Sequence, residues 1–413
     1  MVVYKTKLTI LHPADPVGPK IGGAESFLRE FVRFAPENID LTLIGVSCDR
    51  KERPVGKSVL LDIEGREFRF IPLLIEENED RKRAVPLALR YTYRLFRSQW
   101  PAKSEVVLHN RIESLAAVSA GTNRNLVIIH NDIPQQIEGD SKEVLWSRMP
   151  NLYYRFESNA LRKCDRIYSV SSSTLNDYRA RYSGLADRFE FVSTCVDSQV
   201  FRPETSGRRA ARLKCNLLPD IDIESPWILF VGRLQPQKAP DRLIETMQEV
   251  TRVLPSANLL VVGDGNLLEQ TKTRASATGL EQNVSFLGAR SRRDLIALYQ
   301  AADVLLVTSD YEGMPMSVLE SLASGTPVVS TPVGEVARVV KNGVSGEVID
   351  LFSKELLAKA VLRVLGSNSQ YSPSACRQAV NDFSPARVME PIYQNVIQLA
   401  QCQKPVHRLS IGH

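Results

Sequence analysis

A chain of 413 residues exceeds the size at which a single hydrophobic core stops growing, so two domains of about 200 residues are expected. Hydrophobic residues at 43% and charged residues at 24% exclude disordered and fibrous classes, and 52 basic against 47 acidic residues give no general case for nucleic-acid binding. Cys48, Cys164, Cys195, Cys215, Cys376 and Cys402 form no Cys-x-x-Cys pair and have no histidine cluster nearby, which argues against a zinc site or disulfide framework and suits a reducing compartment. The opening "MVVYKTKLTILHPAD" is too short in apolar residues for a signal peptide, and no stretch approaches about 18 uninterrupted apolar residues, so a cytoplasmic, non-spanning protein is expected.

In chain order, the β-rich runs "KLTILH", "LTLIGV", "FRFIPL", "EVVLHN", "NLVIIHND" and "RIYSVS" precede residue 200, and "WILFVG", "NLLVVGDG", "NVSFLGA", "DVLLVTS" and "TPVVSTP" follow it. Helical patterns separate them. Strands alternating with helices predict right-handed βαβ units and mostly parallel sheets, an α/β fold of two doubly wound domains. Ligands in such sheets bind beyond the carboxyl ends of the strands, so two facing domains form a cleft. Polar, proline-containing sequence marks a linker over 197–225, leaving domains at 1–196 and 226–384, a helix at 385–401 and a flexible tail at 402–413.

After the first run, Gly22 and Gly23 in "GPKIGGAESFLREF" allow backbone amides to approach a phosphate, or simply form a strand-to-helix turn. Residues 81–100, "RKRAVPLALRYTYRLFRSQW", hold six basic residues and no acid. As a helix, Leu89, Tyr93, Phe96 and Trp100 align with Arg90, Arg94 and Arg97 beside them. That suits an anionic membrane surface or an acidic acceptor, and equally a packed helix with solvated arginines. His130 and Asp132 lie just beyond the strand in "NLVIIHNDIP", where a histidine can hydrogen-bond a ligand hydroxyl or serve structure; His109 is a weaker candidate of the same kind.

The second half opens with "WILFVGRLQPQKAPDRLIE", whose strand ends at Gly232 and delivers Arg233 and then Lys238. Arginine binds phosphate oxygens bidentately and lysine acts as a mobile point charge, so the pair suits a diphosphate, with a solvated basic loop as the alternative. Gly263 and Gly265 in "VVGDGN" permit a tight turn and close backbone approach. In "DYEGMPMSVLESLASGTPVV", Pro315 fits the first turn of a helix that Gly325 stops, with Glu312 in the feeding loop and Glu320 inside the helix. The helical stretch from Pro315 to Glu320 rises roughly 8 Å, so the two carboxylates bracket an elongated ligand. Ionised carboxylates accept hydrogen bonds from vicinal diols, and free N–H groups around Met314 to Ser317, in the stretch that begins Gly313-Met314-Pro315, favour an anion. Taken singly, a capping Glu312 and a solvated Glu320 explain the same residues.

The order Arg233 and Lys238, Gly263-Asp264-Gly265, "VSFLGA", Glu312-x7-Glu320, "SGTPVVSTPVGEV" and "NGVSGEVID" resembles the C-terminal half of the GT-B glycosyltransferase family 4. The resemblance implies two Rossmann-like domains facing across a cleft, with a C-terminal crossover helix packing back on the first domain. It implies a retaining, metal-independent transfer of a hexosyl group from a UDP-, GDP- or ADP-linked sugar to a glycan, glycolipid or small-molecule acceptor in envelope polysaccharide or glycolipid synthesis. No cofactor is implied beyond the nucleotide-sugar donor. Arg233 and Lys238 would bind the diphosphate, Glu312 the transferred sugar, Glu320 the ribose, and the main chain at Phe286 and Leu287 would border the base. Gly22, Gly23 and His130 would serve donor phosphates and acceptor. One departure stands out: Ser193-Thr194-Cys195 replaces the family's Pro-Asn-Gly before Val196-Asp197. An inactive scaffold and a nucleotide-sugar epimerase on the same architecture are the rival readings.

Overall fold

The computed structural model describes residues 5–18, 23–76, 85–98, 104–118, 123–130, 149–215, 217–218, 221–367 and 370–402. In the first half, eight strands form one sheet: β1 (Thr6–Leu11), β2 (Ile39–Ser47), β3 (Val59–Ile63), β4 (Arg66–Ile75), β5 (Val106–His109), β6 (Arg124–Ile129), β7 (Arg166–Ser169) and β8 (Phe189–Phe191). Their order is β3-β4-β2-β1-β5-β6-β7-β8. The second sheet comprises β9 (Trp227–Val231), β10 (Asn258–Val262), β11 (Val284–Gly288), β12 (Val304–Val307), β13 (Val328–Ser330) and β14 (Gly346–Val348), in the order β11-β10-β9-β12-β13-β14. Strand order reverses beside β1 and again beside β9, and these two switch points place the site.

Every named pairing is parallel except β3 with β4. Central strands are apolar on both faces because helices cover both sides; all four residues of β5, for example, are buried. The antiparallel hairpin is a departure from the expected alternation. Its two-residue turn uses Glu64 and Gly65, both at positive φ (49° and 91°), which matches the right-handed twist of the flanking strands.

Leu8 and Ile10 of β1 pack with Phe27, Leu28 and Phe31 of the helix Gly23–Arg33. The same core takes Met389, Ile392, Tyr393 and Val396 from the C-terminal helix Pro385–Gln401, and the Tyr393 hydroxyl donates to the Phe31 carbonyl at 2.6 Å. The chain therefore returns from the second sheet to the first. Residues 197–225 differ from a polar linker. Phe201, Ala211, Cys215 and Leu218 join the core beneath the second sheet, and the helix Arg208–Lys214 places Arg212 against Asp303, with its guanidinium 4.8 Å from the centre of the Trp227 ring. The apolar residues are spaced singly through polar sequence, so they read as loop until tertiary packing collects them.

Contacts between the halves are ionic as well as apolar. Arg292, at the start of the helix Arg292–Ala301, donates to Glu30 at 2.6 Å and to Glu64 at 2.9 Å, while Arg33 pairs with Asp197. No helix among the described residues is long and apolar enough to cross a membrane.

Candidate active site

The second sheet builds one wall. Beyond β9 the chain turns through Pro236–Lys238 into the helix Pro240–Val253, and the Lys238 carbonyl accepts from Thr308 Oγ1 at 2.8 Å. Lys238 Nζ makes an ion pair with Glu312 Oε1. Ser309 Oγ donates to the same oxygen at 2.8 Å, and Gln237 Nε2 donates to the Tyr311 carbonyl at 3.0 Å. Glu312 is thus held beyond β12 by donors from two loops. Arg233 is exposed beside them, with no side-chain hydrogen bond or ion pair among the described residues, and is free to meet an anion.

Gly263 and Gly265 do more than make a turn. A Cβ on Gly263 would lie 1.9 Å from the Gly232 carbonyl oxygen, and one on Gly265 would lie 2.3 Å from that of Leu234. The loops after β9 and β10 therefore press backbone against backbone, which fixes the path of Gly232 and Arg233. Phe286 and Leu287, on the neighbouring β11, are both partly buried.

The helix with the second glutamate spans Met316–Ala323, and Pro315 precedes it at ψ 123°, outside the first turn where sequence placed it. Glu320 Oε2 accepts the Tyr299 hydroxyl at 2.8 Å. Burial pushes the Glu320 carboxyl above its ordinary range, opposed by the Tyr299 hydrogen bond and the charge of Arg292. This carboxylate is held in the fold rather than solvated.

Gly334 packs against the Glu312–Gly313 loop, and the sequence reading left it without a role, although it lies in the quoted "VGEV". Its φ is +48°, and a Cβ there would stand 1.9 Å from the Gly313 carbonyl oxygen and 2.5 Å from that of Glu312. The next residue, buried Glu335, donates its N–H to the Gly313 carbonyl at 2.9 Å and accepts from the N–H and hydroxyl of Ser172 at 2.6 and 2.5 Å. One residue, through its N–H and its carboxylate, thus ties the Glu312–Gly313 loop to the first domain. Gly334→Ala is expected to displace that loop and weaken nucleoside diphosphate binding about tenfold or more; calorimetry on the folded variant checks this, and unchanged affinity would remove Gly334 from the site.

The first sheet supplies the opposite wall. Gly23 opens its helix facing the start of the glutamate helix, since a Cβ on Gly23 would come 3.7 Å from Met316 Cγ. Arg29 donates to the carbonyls of Pro16 and Gly18 at 2.8 and 2.9 Å, holding the preceding loop. Gly22, Asp132 and Trp100 lie outside the described residues. His130 follows β6, and a Cβ on Gly313 would come 3.6 Å from its carbonyl oxygen. Its Nε2 is 2.5 Å from Asn110 Oδ1, Asn110 Nδ2 is 3.0 Å from His12 Nδ1, and His12 Nε2 is 3.3 Å from Glu25 Oε1. Burial, with His12 nearby, brings the His130 pKa down to about 3, so its imidazole is neutral at physiological pH.

His109 belongs elsewhere. It is wholly buried, with Nδ1 2.7 Å from Ser114 Oγ and Nε2 3.4 Å from Asn125 Oδ1, so it organises the core beneath the site. Cys195 is a buried filler, and burial raises its thiol pKa. In the Ser193-Thr194-Cys195 turn, Thr194 Oγ1 donates to the Met314 carbonyl at 3.4 Å, so the departure from the family's turn keeps a polar contact with the loop that follows Glu312.

Two mostly parallel α/β sheets that meet at their strand ends, with a lysine–glutamate pair on one wall and a histidine on the other, have the GT-B architecture. Residues 21–200 match the family described as Glycosyltransferase Family 4, and residues 219–380 match Glycosyl transferases group 1; the chain belongs to this family of glycosyltransferases. A D-inositol 3-phosphate glycosyltransferase of Segniliparus rotundus is 30% identical over 60% of this chain and 51% of its own length. One of Nocardia farcinica is 27% identical over 73% and 62%. The chain thus spans about half to three-fifths of these curated relatives. Sucrose-phosphate synthase of Thermosynechococcus elongatus superposes with a TM-score of 0.77 at 18% identity, covering 96% of this chain and 98% of the other. HepE of Anabaena in complex with UDP and glucose gives 0.71 at 15%, covering 95% and 99%. At these identities the structural likeness speaks for the fold.

Proposed function

We propose that the protein transfers a hexosyl group from a nucleotide-diphosphate sugar to an acceptor hydroxyl with retention at the anomeric carbon. The observation that carries this reading is the Lys238–Glu312 ion pair set opposite His130 and Gly23. Arg233 and Lys238 receive the diphosphate, and the amides of Gly313, Met314 and the following helix start add donors. Glu312 accepts hydroxyls of the transferred sugar, Glu320 those of the ribose, and the main chain near Phe286 and Leu287 borders the base. Gly22 and Gly23 let the first domain approach the donor phosphates.

In the reaction the bond from the anomeric carbon to the phosphate oxygen breaks, and the acceptor oxygen bonds to that carbon on the same face. The departing phosphate takes the acceptor proton. Lys238 and Arg233 stabilise the charge that develops on the leaving oxygen, the part a metal plays in other transferases, so the reading is metal-independent. Positioning supplies the rest.

A UDP-linked donor is the first to test, since the Anabaena neighbour was solved with UDP and glucose. A phosphate-bearing polyol is the first acceptor, given the names of the relatives. Exposed Arg111 follows β5, and its charge acts on both Glu25 and His130, which supports it as the group that would receive that phosphate. Incubation of purified protein with UDP-glucose and inositol 3-phosphate, followed by NMR, should release UDP and form an α-glycoside. A β-product would overturn retention, and absence of transfer across UDP-, GDP- and ADP-sugars with phosphorylated and neutral acceptors would overturn the transferase reading.

Envelope glycolipid synthesis at the inner membrane face fits the same reading. The helix Leu87–Ser98 turns Tyr91 and Leu95 inward and leaves Leu89, Tyr93 and Phe96 exposed, flanked by exposed Arg94 and Arg97. Arg90 is the exception to the expected basic flank, donating to Glu76 at 2.6 Å. An anionic bilayer would accept this face, each arginine contributing about 1 kcal/mol. Arg94→Ala with Arg97→Ala is expected to reduce cosedimentation with phosphatidylserine vesicles about tenfold or more, by the same estimate. Equal binding would leave the helix as a soluble surface.

A further inference from the structure

His12, Asn110 and His130 form a hydrogen-bonded line built from three adjacent strand ends, and Glu25 of the helix Gly23–Arg33 closes it, its Oε1 3.3 Å from His12 Nε2. His12 follows β1, Asn110 follows β5 and His130 follows β6, and the register sets Leu11 beside His109 and His109 beside Val127. His12 and Asn110 are 2% and 5% exposed, so the line is screened from bulk water. The Phe27 ring meets His130 edge-on at 5.3 Å between centroids and confines the imidazole further.

The polarity of the line follows from its far end. Two orientations of the Asn110 amide each satisfy both histidines when these are neutral. In one, the amide oxygen accepts from His130 Nε2–H and the amide nitrogen donates to His12 Nδ1; His12 then carries its proton on Nε2, which points at Glu25. In the other, His12 would turn an unprotonated Nε2 toward that carboxylate. Glu25 is ionised at neutral pH: burial raises its pKa, but the facing His12 and, less, Arg111 bring it down to about 2. A lone pair facing a carboxylate is repulsive, and an N–H facing it is attractive, so Glu25 selects the first orientation.

We propose that Asn110 and His12 are positioning residues that fix His130 as the Nε2–H tautomer, leaving Nδ1 as the nitrogen that accepts a hydrogen bond from a substrate hydroxyl. The use of that nitrogen rests on the glycosyltransferase reading; the tautomer does not. Asn110 turns the ring and selects its proton position, His12 selects the amide orientation, and Glu25 selects the orientation of His12. His130 then meets a hydroxyl as an acceptor without changing its charge, while the acceptor proton itself leaves with the phosphate.

The test has two arms. In the first, the full chain is labelled with ¹⁵N-histidine and long-range ¹H–¹⁵N spectra are taken at pH 7.5 without nucleotide, with His130 assigned by its loss in His130→Ala. The wild type should show His130 as the Nε2–H tautomer. Asn110→Ala and His12→Phe should each convert it to a mixture of tautomers, while Asn110→Asp, which keeps an accepting oxygen, should retain Nε2–H. A wild-type His130 that is an Nδ1–H tautomer, an imidazolium or a mixture would overturn the proposal, and this arm decides even if a variant fails to fold.

The second arm measures UDP release from UDP-glucose. Asn110→Ala should lower kcat tenfold or more with KM for UDP-glucose changed less than twofold, and Asn110→Asp should recover part of the loss. Equal kcat in wild type and Asn110→Ala would overturn the catalytic consequence. A wild type that shows the tautomer but turns over no sugar nucleotide would instead count against the transferase reading.

Discussion

Replacing Lys238 with alanine is expected to lower kcat for donor turnover by about 10²- to 10³-fold, the loss seen when one donor to a developing oxyanion is removed. Nucleoside diphosphate affinity should fall with it. Two effects act together. The leaving phosphate loses its nearest mobile cation, and Glu312, now held by Ser309 and Gln237 without an opposing charge, repels the incoming diphosphate. At about 4 Å and an effective dielectric near 20, one such charge pair is of order 4 kcal/mol. The double variant Lys238→Ala with Glu312→Ala separates the effects: it should bind UDP more tightly than Lys238→Ala alone while remaining inactive. Calorimetry and donor turnover on the three variants check this, and a Lys238→Ala protein with wild-type affinity and kcat would place the reaction elsewhere.

Glu320→Gln is expected to weaken UDP binding by about 10- to 150-fold, the equivalent of a charged hydrogen bond of roughly 1.5–3 kcal/mol. The pH dependence adds a signature. Burial already holds the Glu320 carboxyl above its ordinary range, so acidification protonates it early and removes an acceptor from the ribose diol. Wild-type affinity should therefore fall as pH drops toward that raised pKa, and the Glu320→Gln protein should lack this component. Tyr299→Phe removes the hydrogen bond that opposes the burial effect, so the fall should begin at a higher pH. UDP titrations from pH 8 to pH 5 on the three proteins measure it; parallel pH profiles for wild type and Glu320→Gln would detach Glu320 from the nucleotide.

The parts of the fold legible in sequence share a physical cause. Central strands such as β9 and β12 lie between two layers of helices and appear as continuous apolar runs, and the glutamate helix is bounded by Pro315 and Gly325. β3 escaped notice because it is an edge strand alternating between partial and full exposure, and β8 and β14 because three residues carry little periodicity. Of the proposed donor site, Arg233, Lys238, Glu312 and Glu320 stand out in sequence because they occur in short linear motifs. Their supports were not: Tyr299 and Gly334 are ordinary residues until packing brings them to Glu320 and Gly313. His12 and Asn110 are 98 positions apart, and only the β1–β5 register makes them neighbours. Local sequence carries the groups proposed to meet substrate more clearly than the tertiary contacts that aim them.

The most direct measurement is calorimetric binding of UDP, GDP and ADP, with NAD as a control, to the wild-type protein and Lys238→Ala without added metal. The proposed donor site predicts saturable binding of one nucleoside diphosphate to the wild type, strong loss of that binding in Lys238→Ala, and no binding of NAD. Absence of binding by all three at millimolar concentration, with magnesium added as well, would contradict a nucleotide-sugar site built on Lys238, Glu312 and Glu320.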